Sequence, residues 1–132
     1  MSSRFVPSLP AFFLILIVVH VLLNVCSRLL ESRRYQSVDE DLATLQGCLQ
    51  EYFELGRVYP SEEQGLSALI ARPTTNPLPD QWVQSMDEIP IDSWGTAYQY
   101  RFPGIRNPRR PDVISAGPDR EFGTADDLSN QD

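Results

Sequence analysis

The sequence is poor in the residues on which most catalytic sites depend. Among 132 residues there is one histidine, His20, and there are two cysteines, Cys26 and Cys48. His20 falls inside an apolar run, and no nucleophile–base pairing is legible elsewhere, so the chain reads as a non-enzyme. If one continuous helix carries both cysteines, a rise of ~1.5 Å per residue sets them roughly 33 Å apart. A disulfide needs Cα atoms within about 7 Å, which excludes pairing within the chain. Each cysteine is read as a small buried apolar residue rather than a redox device. Carboxylates are missing before Glu31, glycine is missing before Gly47, and no proline interrupts the stretch from Ala11 to Leu55. The length allows one small domain and no second core.

Charge is unevenly placed. The formal net charge is −7, yet from Glu31 onward nine arginines face eighteen carboxylates. Such an acidic domain repels phosphate backbones, which excludes nucleic acid as a partner and favours cations and basic surfaces.

From Ala11 to Val25 the chain reads AFFLILIVVHVLLNV, and Phe5 and Val6 extend the apolar stretch across Pro7 and Pro10. Counted from Phe5, it reaches the ~20 residues that cross a bilayer core. A cleaved signal peptide is the competing reading, but no small-x-small site stands out near residues 24–27, and Val25 before Cys26 suits a lipoprotein box badly. A retained membrane anchor over residues 1–30 is expected, followed by one domain over residues 31–132. Arg28, Arg33 and Arg34 beyond the run, against Arg4 before it, would by charge alone put the C-terminal side in the cytoplasm. Glu31 and the short N-terminal tail make that a poor discriminator. His20 and Asn24 lie one turn apart and fit either a helix-packing face or polar groups reaching for water.

Beyond the anchor, Val38, Leu42, Leu45, Leu49 and Tyr52 recur at steps of four and three, which places them on one helical stripe. One long helix is expected, half in lipid and half in solvent, stopping at Gly56 through a left-handed conformation. Ser61 and Gln64 form a capping box ahead of a short helix, with Leu66, Leu69 and Ile70 inward and an end near Arg72 before Pro73. The proline-rich stretch 73–90 reads as an ordered loop anchored by Trp82 and Met86. Asp92-Ser93-Trp94-Gly95 is turn chemistry leading into a strand in which Tyr98, Tyr100 and Phe102 alternate with polar positions, and 112–115 reads as a second strand. Helices first and strands afterwards give an α+β fold, a small antiparallel sheet laid on the long helix.

The segment Ser115 to Asn130 gathers Asp119, Glu121, Asp126 and Asp127 around Gly117 and Gly123. A hard cation such as Ca²⁺ takes carboxylates together with backbone carbonyls, so the loop fits a metal site; it equally fits a solvated acidic tail. Arg106, Arg109 and Arg110 fit either a contact with an acidic neighbour or a solvated loop. Trp94, Tyr98 and Tyr100 have the alternation of a sheet face against a helix.

The run LQGCLQEYFELGRVYPSEEQGLSALIARP, then IPIDSWGTAYQY, then DVISAGPDREFGTADDLSN, resembles the protein G family of bacterial type II secretion systems, the major pseudopilins. The resemblance implies a pilin-like fold and a structural subunit held in the inner membrane by a single span, with its C-terminal domain in the periplasm. The implied partners are other pseudopilin subunits and inner-membrane secretion components, assembled into a filament that drives protein export. It also implies a structural calcium ion held by Asp119 and Asp126, with the Ala116 carbonyl contributing and Asp127 or a further carbonyl completing the shell. The sequence departs from the family in having no glycine before Gly47 and no carboxylate before Glu31, where the family has a leader glycine and a membrane glutamate. Arg120 and Glu121 replace the glycine and neutral residue usual in the loop. A membrane-anchored, calcium-stabilised binding module that does not polymerise is the alternative those departures favour.

Overall fold

The computed structural model describes residues 9–131. The order of elements is α1 (Leu9–Gly56), a 3₁₀ turn (Gly65–Leu69), β1 (Gln99–Arg101), β2 (Asp112–Ser115) and β3 (Leu128–Ser129). The chain divides into two compact units that meet between Arg34 and Tyr35, within α1. The apolar extension through Phe5 and Val6 lies outside the described residues.

In the first unit, α1 starts beside Pro10, whose fixed φ suits a first helical turn. Side chains from Phe12 to Leu30 are exposed wherever they are large and apolar. α1 is long and apolar enough to cross a membrane. Two polar side chains here are satisfied locally: the Asn24 side-chain amide donates to the His20 carbonyl at 2.9 Å, and the Ser27 hydroxyl donates to the Asn24 carbonyl at 2.9 Å. Cys26 is exposed, contrary to its reading as a buried residue, because it sits in this unsheltered stretch.

In the second unit the expected stripe forms. Val38, Leu42, Leu45, Leu49 and Tyr52 are all buried and join Leu66, Leu69, Trp94, Tyr98, Tyr100 and Val113 in one core. Each fully buried leucine contributes about 1.5–3 kcal/mol relative to exposure. The three strands form one antiparallel sheet in the order β1-β2-β3. Tyr100 pairs with Val113, and Ser115 pairs with Leu128. The long helix and the small antiparallel sheet make an α+β, pilin-like fold.

The end of α1 differs from the expectation. Arg57, not Gly56, takes the left-handed conformation, with φ 61°, and its N–H closes onto the Phe53 carbonyl at 2.7 Å. Gly56 serves a different need: a Cβ there would come within 2.6 Å of Pro79 Cβ, and the Gly56 carbonyl accepts from the Asp80 N–H. The capping box does form, with reciprocal hydrogen bonds between Ser61 and Gln64 of 2.9 and 3.2 Å. It leads into a 3₁₀ turn rather than an α-helix reaching Arg72, because Gly65 at φ 54° breaks α-helical continuity just after the cap. Leu66 and Leu69 are buried as expected, and the 73–90 loop is held by the Trp82 indole N–H donating to the Ala68 carbonyl at 2.8 Å.

Candidate functional site

The Asp92-Ser93-Trp94-Gly95 turn and the C-terminal loop meet at a buried polar junction. Asp92 Oδ1 accepts from the backbone N–H groups of Trp94 (3.1 Å) and Thr96 (2.7 Å). Its Oδ2 accepts from the Ser115 hydroxyl at 2.7 Å, and Ser115 Oγ in turn accepts from the Gly117 N–H at 3.2 Å. Asp92 and Ser115 are both buried, so a charge that would be costly alone is met by three donors. Sequence reasoning took Asp92 only as a turn former and missed this pairing. A carboxylate that precedes a tryptophan on a buried strand approach is the signal that was present.

Ser115 hands the chain to the acidic loop. Gly117 has φ 66°, and a side chain there would overlap the Asp126 carbonyl and approach Asp126 Oδ2 to 3.2 Å. That close approach brings Asp119 and Asp126 together, as the sequence anticipated: the Asp119 N–H donates to Asp126 Oδ2 at 3.1 Å. The Thr124 hydroxyl donates to Asp126 Oδ1 at 2.6 Å, and these donors, Thr124 foremost, hold the Asp126 carboxyl below its ordinary range. Thr124 was not singled out from the sequence.

Asp127 is engaged differently. Its Oδ2 accepts from the Gly123 N–H at 2.7 Å, while its Oδ1 is buried without a hydrogen-bond donor. Ala116 is fully buried between Ser115 and Gly117. Arg120, at φ 63°, caps the turn through its N–H to the Gly117 carbonyl at 3.2 Å. Among the described residues, no group of three or more histidine, cysteine, aspartate or glutamate side chains converges as a metal site. A cation here would therefore need backbone carbonyls beside the carboxylates. Hard cations take such mixed oxygen shells, and the donor-free oxygen of Asp127 is a vacancy in hydrogen bonding that a cation fits.

The remaining sequence candidates are scattered. The Arg106 guanidinium donates to the Gln131 carbonyl at 2.9 Å. Arg109 is exposed at the edge of an apolar surface cavity of about 510 Å³ lined by Phe53, Arg57, Val58, Tyr59 and Phe102. Phe53 stacks on Tyr59 with ring centres 4.6 Å apart, and Tyr59 meets Phe102 at 5.3 Å. Cys48 is half-buried, and burial pushes its thiol pKa up, with Glu51 adding to the effect. Both cysteines are free.

Comparison with known proteins gives this arrangement a family. The profile of type II secretion system (T2SS), protein G matches residues 24–131. The type II secretion system core protein G of Pseudomonas aeruginosa is 37% identical over 97 residues, spanning 70% of this chain and 67% of that protein. The protein of the same name from Pectobacterium carotovorum is 38% identical over 97 residues, 72% of this chain and 61% of the relative's length. The crystal structure of the major pseudopilin from the type 2 secretion system of enterohaemorrhagic Escherichia coli superposes with a TM-score of 0.68 at 36% identity, covering 76% of this chain and 84% of that one. The chain belongs to the type II secretion system protein G family.

Proposed function

We propose that this protein is a structural subunit of a type II secretion pseudopilus. Its N-terminal helix anchors it in the inner membrane with the C-terminal domain in the periplasm, and assembly through that helix with other pseudopilin subunits builds the filament that drives protein export. The observation that carries this reading is the family match across residues 24–131, joined to an α1 whose apolar side chains from Phe12 to Leu30 have no cover among the described residues. A helix of that character lowers its free energy by entering lipid or by packing on like helices. The role is mechanical rather than catalytic, and other inner-membrane components of the apparatus power growth.

The second part of the proposal is a structural calcium ion in the C-terminal loop, held by Asp119, Asp126 and Asp127 with backbone carbonyls that include Ala116. The donor-free oxygen of Asp127 and the enforced approach of Gly117 to Asp126 support it. When bound, the ion neutralises neighbouring carboxylates and fixes the loop against β2. Through Ser115 and Asp92, the chain's own hydrogen bonds carry that order to the tryptophan turn.

The non-polymerising alternative is favoured by one feature, the absence of any carboxylate in the apolar segment 11–25. Deleting the gene in its native host distinguishes the two. The assembly reading expects exported proteins to be retained in the periplasm and export to return when the gene is restored. Undiminished export in the deletion strain leaves the alternative standing.

A further inference from the structure

Gly47 has no internal explanation. It sits inside α1, more than two turns before its end, is exposed, and a Cβ placed there would meet nothing within 4 Å. Glycine in a helix interior lowers stability relative to alanine, and neither a turn nor a close approach within this chain calls for it. Glu40 and Glu51 are eleven positions apart, about three turns, so they share one stripe with Gly47 between them. Both are exposed. The stripe is therefore flat at its centre and anionic at its two ends.

The cavity at the far end of α1 has the opposite character. Its floor is aromatic, with Phe53 and Phe102 on either side of Tyr59, and its rim carries Arg57 and Arg109. Arg57 holds a left-handed conformation in which glycine would be relaxed, so a guanidinium is kept there at a conformational cost. In a domain with a twofold excess of carboxylates, two arginines at the edge of an exposed apolar floor form a cationic patch. Nothing among the described residues covers it.

We infer that the Glu40–Gly47–Glu51 stripe of one copy receives the Phe53 and Phe102 patch of a second copy, with Arg57 and Arg109 reaching its carboxylates. The inference rests on the assembly reading above and names the surfaces that execute it. Phe53 lies on a different stripe of α1 from Glu40 and Glu51, and Arg57 lies just past the helix end, so donor and receiving surfaces are distinct patches of one molecule. Contacts of that kind are heterologous, leave one free surface of each type at the ends, and propagate as open helical arrays unless the rotation closes. Charge complementarity fixes the register, and the missing side chain at residue 47 lets the aromatic rings approach the helix backbone.

The test uses the full-length chain in native-host membranes with Cys26→Ala and Cys48→Ala, so that only the introduced cysteines react. Thr44→Cys is placed on one tagged copy and Arg109→Cys on a differently tagged copy, and a short bismaleimide joins them. The inference expects a product carrying both tags, its yield falling about ten-fold when Gly47→Leu is added to the copy bearing Thr44→Cys. Gly47→Leu should melt no lower than its parent, since leucine favours the helix and its Cβ meets no neighbour within 4 Å, and the melting temperature is measured beside the yield so that unfolding is scored separately. An unchanged yield with Gly47→Leu, or a product joining Thr44→Cys to a different protein, overturns the inference. If copies that keep Cys26 and lack the introduced cysteines form Cys26-to-Cys26 products while the Thr44→Cys and Arg109→Cys pair forms none, the docking surfaces are wrong and the assembly reading stands. If Cys26 products are absent too, assembly itself fails and the inference falls with it.

Discussion

The Ser115 hydroxyl donates to Asp92 Oδ2 at 2.7 Å, and this buried bond ties the tryptophan turn to the mouth of the acidic loop. Ser115→Ala removes one donor from a buried carboxylate and the acceptor of the Gly117 N–H. A loss of about 1–3 kcal/mol is expected, which for a domain of this size lowers the melting temperature by roughly 4–8 °C per kcal/mol. Thermal unfolding of the chain in detergent, followed by tryptophan fluorescence, reads it directly because Trp94 lies beside Asp92. A Ser115→Ala protein that melts with the wild type would remove the junction from the account.

Arg57→Gly should raise stability. The left-handed conformation at φ 61° costs a non-glycine residue about 1–2 kcal/mol, and glycine relieves most of it while keeping the closing bond to the Phe53 carbonyl. Urea unfolding is expected to shift to a higher midpoint with an unchanged slope. A lower midpoint would mean that the arginine side chain supports the fold itself.

The buried tyrosines predict alkaline instability. Burial raises the Tyr98 and Tyr100 pKa values well above 10.0, and for Tyr98 the bond to Asp41 adds to this. The folded chain keeps protons that the unfolded chain releases, so the contribution is whole below the unfolded value and declines as pH rises past it. Tyr98→Phe and Tyr100→Phe should each flatten that decline, and each loses a hydrogen bond, to Asp41 or to the Pro60 carbonyl, at a cost of about 1 kcal/mol. Tyr52 differs, since its hydroxyl is buried without a partner, and Tyr52→Phe should leave stability unchanged or raise it. Unfolding midpoints measured from pH 7 to 11 check all three.

How much of this was legible in the sequence varies with the range of the interaction. The stripe from Val38 to Tyr52 was readable because helical period reports burial directly, and the alternation through Tyr98 and Tyr100 did the same for β1. The Ser61–Gln64 capping box was readable as a local bond pair, but the α-helix drawn after it was not, since Gly65 adopts a positive φ that local pattern does not require. Gly56 was assigned a conformation that Arg57 holds, because contact with Pro79 is a long-range demand. β3, two residues long, carries no period at all, and it is pinned by Asn130, whose side chain accepts from the Val113 N–H at 2.8 Å. In the loop, Asp119 and Asp126 were legible from composition and family resemblance, whereas Thr124 and Asp92 act through contacts that only the fold creates.

Calcium should raise the melting temperature of the wild type, and a chelator should reverse the rise. At a free concentration of 100 times Kd the gain is about 2.7 kcal/mol. Asp119→Ala and Asp127→Ala should each abolish the difference that chelator makes. Because Asp126 is held below its ordinary value of 3.8, its ionic contribution is present above that value and is lost as pH falls through its folded value. A wild type indifferent to chelator at neutral pH would contradict the calcium proposal.

Cross-linking through the native Cys26, exposed on the apolar half of α1, is the most direct measurement of the assembly role. With the full-length chain in membranes of its native host under secreting conditions, the proposed side-by-side packing of neighbouring anchors predicts that a thiol-to-thiol reagent yields dimers. Ala substitution at Cys26 should remove them. Only monomers, under conditions where export proceeds, would contradict assembly through the N-terminal helix.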